Sequence, residues 1–209
     1  MFIFELNLYF IIPMNKLLLI SFLAFFSIAT LFGQEEKYCF NILHREKVIG
    51  ELVAKKEVVE DKIIYSNRTE ISTRILAKIE VDYTYKVVYR NKTLAHAFAL
   101  ILFNDREKTN SYTEKTKTGY IFYEDNEAEY KIEESIMYST VNLIFEEPLN
   151  ISKVYAEEHG EFHQLKKVAN HIYEKTSSKG KTSLYKYKNG KLVEAEIDVG
   201  IISFKIVAE

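Results

Sequence analysis

The sequence predicts a mainly β protein: a curved antiparallel sheet or barrel-like single domain, with one short helix near residues 133–143, preceded by a signal peptide. Three observations carry this. Over 74–87 the chain alternates, with Ile75, Ala77, Ile79, Val81, Tyr83, Tyr85 and Val87 on one face and Arg74, Lys78, Glu80, Asp82, Thr84 and Lys86 on the other. A strand holds such a period of two, whereas a helix would smear it around its circumference. Beyond residue 33 the chain keeps 14 of its 15 Tyr, with many Val, Ile and Thr, the residues that fit a pleated, half-buried surface. Turn-forming groups recur at short intervals and cut the chain into hairpin-sized pieces.

The first element is the leader. Residues 1–33 carry two charged side chains, Glu5 and Lys16, and seven of the 14 Phe. Met14-Asn15-Lys16 followed by the apolar run 17–32 reads as the basic and hydrophobic regions of a signal peptide, with Gly33 as the small residue before the cut. Met14 is then the true start, and residues 34–209 form the single exported domain. The run is short for an anchor, which wants roughly 20 apolar residues, so no stable membrane span is expected after cleavage.

The strands follow in order. Arg45-Glu46-Lys47 separates 38–44 from 48–57, and Glu60-Asp61 precedes 62–72. Asn91-Lys92 divides 83–90 from 93–103, which Asn104-Asp105-Arg106 ends; Asp125-Asn126 joins 120–123 to 128–132. Residues 177–181 and Asn189-Gly190 mark the last hairpins, Asn-Gly being the strongest short hairpin signal. Only six Gly and one Pro follow residue 33, so Asn, Asp and Lys must make most of the turns. One pattern occurs twice: Tyr89-Arg90-Asn91-Lys92-Thr93-Leu94 with Ala97, and Tyr187-Lys188-Asn189-Gly190-Lys191-Leu192 with Ala195. It supports two hairpins. Ile132, Ile136, Met137, Thr140, Val141 and Ile144 have helical spacing instead, which predicts the short helix, with Pro148 ending that element.

Composition excludes several classes. With 28 Lys+Arg against 30 Asp+Glu, a net charge of -2 gives no basic excess for nucleic acid. At 47% hydrophobic residues the chain is not disordered. One cysteine, Cys39, makes no internal disulfide and reads as a small buried hydrophobe in a strand. There is no G-x-S-x-G elbow and no phosphate-binding glycine loop, so neither an enzyme nor a cofactor is expected.

The densest chemistry lies at His159-Gly160-Glu161-Phe162-His163, with Glu157-Glu158 before it and His171 after it. His159 and His163 are the candidate metal ligands. Zinc wants three or four ligands in oriented shells, and the plainer reading is a solvated hairpin loop. Glu124, Asp125, Glu127 and Glu129 lack the alternating pattern and central Gly of a calcium loop.

Val48-Ile49-Gly50 in an early hairpin, the strand around Thr69-Glu70-Ile71, the hairpin at 89–97, Phe145-Glu146-Glu147-Pro148 and the closing Tyr187-Asn189-Gly190 hairpin form an ordered set. Over most of 38–207 this order resembles a family of exported proteins of unknown function from Bacteroidetes-type bacteria. The resemblance implies a curved antiparallel sheet akin to lipocalin or lipoprotein-carrier folds, in the periplasm or outside a Gram-negative cell. It carries no activity and no catalytic residue.

The expected function is non-enzymatic: an exported protein whose sheet cradles a small apolar ligand, lipids included. Tyr-lined concavities suit amphipathic ligands, because the ring is apolar and the hydroxyl orients. The lining residues named first are Tyr83, Tyr85, Val87, Phe98 and Tyr123. The alternatives are a structural or interaction module of the envelope, and an enzyme or metal-binding protein with its site at His159 and His163. A cavity open to solvent favours a carrier, and a filled core with an exposed flat patch favours a module.

Overall fold

The computed structural model describes residues 34–74, 78–198 and 203–209; the signal peptide expected over 1–33 lies outside them. Eight strands come first: β1 (Gln34–His44), β2 (Lys47–Val59), β3 (Lys62–Arg74), β4 (Lys78–Arg90), β5 (Thr93–Phe103), β6 (Arg106–Lys115), β7 (Tyr120–Glu124) and β8 (Glu127–Ile132). A 3-10 helix (Thr140–Ile144) precedes six more: β9 (Lys153–Ala156), β10 (Glu161–Ala169), β11 (Ile172–Thr176), β12 (Thr182–Lys188), β13 (Lys191–Asp198) and β14 (Ser203–Ala208). All 14 belong to one barrel-like sheet, ordered from β8 down to β1 and then from β14 down to β9. The first and last strands therefore pair, antiparallel, with Phe40 opposite Ala208 and Ile42 opposite Ile206. The two edges, β8 and β9, are consecutive in sequence and fall in mid-chain.

The hairpins turn on residues other than glycine. Arg45 with Glu46, Asn91 with Lys92, Asn104 with Asp105 and Asp125 with Asn126 all hold φ between +48° and +68°. Two successive positive φ values give the turn whose twist matches the flanking strands. The repeated pattern is a repeated structure: Tyr89 faces Leu94 and Tyr187 faces Leu192, each beside a register shift one residue earlier. Ala97 and Ala195 are both fully buried. One turn, at Asn170 and His171, carries no glycine or proline and was not among those read from the sequence.

Two expectations change. The alternation over 74–87 is not one strand, because Arg74 pairs with Lys78 across a reversal and β4 starts at Lys78; Ile75 and Ala77 lie outside the described residues. A connection of odd length keeps the alternation in phase through the turn, which is why the pattern hid it. The helix expected over 133–143 is a single 3-10 turn, Thr140–Ile144. Asn142 Oδ1 accepts from the Ser139 N–H at 2.9 Å and the Ser139 hydroxyl at 3.0 Å, closing a capping box that coils only this stretch. The apolar spacing around it has a different origin.

That origin is a plug. The segment between the edge strands runs through the interior, where Ile136, Val141, Leu143, Ile144 and Phe145 are buried. Tyrosine hydroxyls hold it: Tyr89 donates to Asn142 Oδ1 at 2.7 Å, Tyr187 to the Leu143 carbonyl at 2.7 Å and Tyr173 to Glu147 Oε1 at 2.8 Å. The Phe145 ring packs 5.0 Å from Tyr65 and 5.7 Å from Tyr38. Glu157, fully buried, accepts from the Val141 N–H at 3.0 Å and from the Thr140 hydroxyl; burial raises its carboxyl above the ordinary range. The tyrosine and Phe145 contacts gather at the end of the barrel where the β4–β5 and β12–β13 turns lie, and Glu157 ties the plug to the start of the β9–β10 turn.

The edges overlap rather than pair. Val154 and Tyr155 of β9 leave opposite faces, yet both are 0% exposed. Tyr155 Oη meets Thr113 Oγ1 at 2.6 Å, and Ser111 Oγ donates to the Glu157 carbonyl at 3.0 Å. Ser111 and Thr113 stand on the inner face of β6, opposite Ala99 and Ala97. Tyr130 of β8 donates to the His159 carbonyl at 2.5 Å. The β9 edge thus tucks inside the β6–β8 edge, and side chains rather than a backbone ladder seal the roll. Gly160 makes the tuck possible: at φ +68° an added Cβ would lie 2.5 Å from Phe122 Cγ and from Tyr130 Oη.

Candidate functional site at the open end of the barrel

The inward face of β4 divides the interior. Val87 and Tyr89 are buried beside the plug, whereas Val81, Tyr83 and Tyr85, packed against the same core, are only partly buried towards the other end. Tyr83 and Tyr85 are two positions apart on one face, and their rings lie 6.4 Å apart at 9°. Ile197 of β13 is only partly buried as well. This is the end where the turn between β9 and β10 lies.

That turn brings ionisable groups to the tyrosines. Tyr85 Oη donates to Glu158 Oε2 at 2.8 Å, and His159 Nε2 lies 3.1 Å from Glu158 Oε1. Burial alone would raise Glu158, but the His159 and Tyr85 hydrogen bonds and nearby positive charge hold it down at about 2. The same contact raises His159 above the ordinary imidazole value. Three residues after Glu158, Glu161 Oε1 accepts from Ser178 Oγ at 2.7 Å, and His163 Nε2 sits 3.1 Å from the same oxygen. His163 is 4% exposed, and its Nδ1 is buried with no hydrogen-bond partner. Burial, reinforced by the charge of Lys175, lowers its pKa. Tyr83 is pushed up to about 12, by burial and by Glu158.

The arrangement sets two imidazole–carboxylate pairs beside a serine hydroxyl and two tyrosine rings. Ser178 donates to the Glu161 carboxylate and touches neither histidine, so it lacks the imidazole partner of a serine–histidine nucleophile. Both imidazoles turn Nε2 to their own carboxylates, with ring centroids 6.4 Å apart. Among the described residues no group of three or more His, Cys, Asp or Glu is placed to hold a metal ion.

The sequence-named residues separate. Tyr85 joins His159 through Glu158, with Tyr83 stacked beside Tyr85 and the His163 ring 6.4 Å from that of His159, while Val87 is 0% exposed beneath the plug. Phe98 lies between Ala97 and Ala99, both fully buried, and so points to the outer face. Tyr123 is also outside, stacked 4.4 Å from Tyr112 at 9°. Strand β5 is apolar on both faces, so alternation could not tell Phe98 from a lining residue. Glu158 and Glu161 belonged to the legible cluster. Ser178 did not, and nothing local links Tyr85 to a carboxylate 73 positions away.

Cys39 also departs from expectation. It is half-exposed and free, on the face opposite buried Phe40. On the outer face of β2–β4, Glu51, Glu70 and Asp82 form a cross-strand row beside an open groove of about 710 Å³; Arg68 pairs with Glu70 at 2.7 Å.

A family model for a domain of unknown function, DUF6134, matches residues 40–209. The chain belongs to the DUF6134 family. Its match takes in the plug, the overlapping edges and the open-end cluster. Among solved structures, the DUF6134 chain is similar to a β-barrel-like protein of the domain of unknown function DUF1849 from Brucella abortus. The TM-score is 0.54, over 86% of this chain and 96% of that one, at 8% sequence identity. At that identity the likeness concerns the fold. No curated protein matches the sequence. No helix among the described residues is long and apolar enough to cross a membrane.

Proposed function

We propose that this DUF6134 chain is an exported, non-enzymatic binding protein that takes a small apolar or lipid-like ligand in the open end of its barrel. The observation that carries this reading is the Tyr83–Tyr85 pair: inward-facing, parallel and only partly buried, on a strand whose next inward residues are buried. Aromatic wall beyond the plug offers a surface for an apolar body, and the Glu158–His159 and Glu161–His163 pairs offer polar anchors. Export rests on the leader over 1–33, and a periplasmic or extracellular setting follows from it.

Native mass spectrometry of protein expressed from its full reading frame and gently purified tests the reading. The expected spectrum carries a bound mass that dissociates on activation and falls away in Tyr83→Ala. A clean apo mass, with no saturable uptake of added fatty amphiphiles, overturns it. A second reading, an interaction module of the envelope, is favoured by the outer face of β5 and β6, where Phe98, Leu100, Leu102 and the stacked Tyr112 are half-exposed. Concentration-dependent self-association that Leu100→Lys abolishes would support it.

A further inference from the structure

We infer that the open end selects ligands with a neutral, hydroxyl-rich head, one whose hydroxyl donates to His163 Nδ1 while its apolar body lies on Tyr83 and Tyr85. The inference rests on the binding reading above and adds the chemistry of the head. His163 is the deciding group. Its Nε2 is 3.1 Å from Glu161 Oε1, a carboxylate that only accepts, so the proton is on Nε2 and Nδ1 presents a lone pair. That lone pair is buried, unpaired and on the inward face of β10, the face that also carries buried Leu165. A buried acceptor left unpaired is costly, and a donor brought to it recovers that cost.

The rest of the site is matched to the same head. Both carboxylates already accept, Glu158 from Tyr85 and Glu161 from Ser178, and each retains lone pairs for further donors. Groups that can carry positive charge lie beside them, with His159 Nε2 3.1 Å from Glu158. His159 is drawn towards its protonated form by Glu158, and Lys175 acts on both Glu158 and His163. An anionic head would meet the Glu158 and Glu161 carboxylates, and a cationic head would meet Lys175 and the imidazole of His159, so each carries a repulsive contact that a neutral head avoids. A head of neutral donors, such as a glycosyl or polyol group, satisfies the acceptors without adding charge.

Three amphiphiles sharing a decyl chain test this on the whole protein by titration calorimetry below their micelle concentrations: decyl glucoside, decyltrimethylammonium and decanoate. The glucoside is expected to bind about tenfold more tightly than either charged form, the size of one buried hydrogen bond recovered. His163→Phe should remove that preference while the residual affinity for the chain persists, and His163→Gln, which keeps a side-chain acceptor, should restore part of it. The ¹⁵N shift of His163 Nδ1 in the unsubstituted protein, moving as an accepting nitrogen does when it gains a donor, decides the point without any variant. Equal or tighter binding of a charged amphiphile, or an Nδ1 shift unmoved by the glucoside, overturns the inference and leaves the binding reading standing. Binding of none of the three retires the binding reading itself.

Discussion

His159 and His163 share a turn and a strand start, and the structure drives their titrations apart. The Glu158 contact raises His159, so its folded form binds a proton more tightly than the unfolded chain does. That stability is present below the ordinary imidazole pKa and is lost as pH rises through the raised value. Burial lowers His163, so there the folded state resists protonation and stability is lost as pH falls below the ordinary value. Urea unfolding at about pH 5 and about pH 8, either side of the unperturbed imidazole value, should show opposite changes. His159→Gln should lose stability mainly at the lower pH, and His163→Gln should relieve an acid loss. Slopes of the same sign in both variants would contradict the assignment. Glu157 is the other decisive residue, since its carboxylate is the acceptor for Val141 and Thr140 at the start of the 3-10 turn. Glu157→Ala should lower unfolding free energy by about 1–3 kcal/mol, the range for leaving buried donors unpaired, as read from denaturant midpoints. The histidine cluster was legible because its members are neighbours in sequence. The Tyr85–Glu158 bond and Ser178 were not, because only the closing of the sheet brings them there.

At the scale of elements, turn chemistry was the most legible feature, because a two-residue hairpin needs positive φ at both positions and few side chains tolerate it. Arg45 and Glu46 adopt it at +49° and +61° without being Asn or Gly. The double substitution Arg45→Asn with Glu46→Gly, the chemistry already used at Asn189-Gly190, should stabilise the fold by about 1 kcal/mol, measured as a raised thermal midpoint. The overlapping edges give the opposite case. Gly160→Ala adds a methyl group 2.5 Å from Phe122 and Tyr130 at φ +68°, and should cost at least about 2 kcal/mol from strain and clash together. The strand over 74–87 and the helix over 133–143 misled for one reason. Apolar spacing reports which residues are buried, and both a reversal of odd length and a segment threaded through a barrel imitate a regular period.

For the whole molecule, the pairing of β1 with β14 is the closure that no local pattern announces. Nothing in the alternation of 38–44 or 203–208 names the other as partner, yet Phe40–Leu43 and Lys205–Ala208 share a ladder. Contacts this remote in sequence carry a large loop-closure cost, which places the fold among slow folders. Deleting residues 203–209 would leave β1 and β13 as raw edges in the middle of the sheet. The shortened protein should lose its cooperative thermal transition by circular dichroism, and one that still melted sharply would show that the two halves hold without the terminal pair. The curved antiparallel sheet was legible from strand count and turns. The filling of its interior by a segment of the chain itself was not, because the plug's residues are ordinary and only the tyrosines around them identify their place.

The overlapped edges have a mechanical consequence. In a barrel closed by a continuous ladder, strand number and shear set the bore, and it changes only in whole steps of register. A roll whose margins are joined by side chains has no such lock. A shift of Tyr155 and Gly160 along the inner face of β6–β8 would break no rung between neighbouring strands, only the overlap contacts and the bond from the Tyr155 N–H to the Tyr138 carbonyl. Its calibre therefore depends on the handful of residues at the overlap as well as on the fourteen strands of the wall.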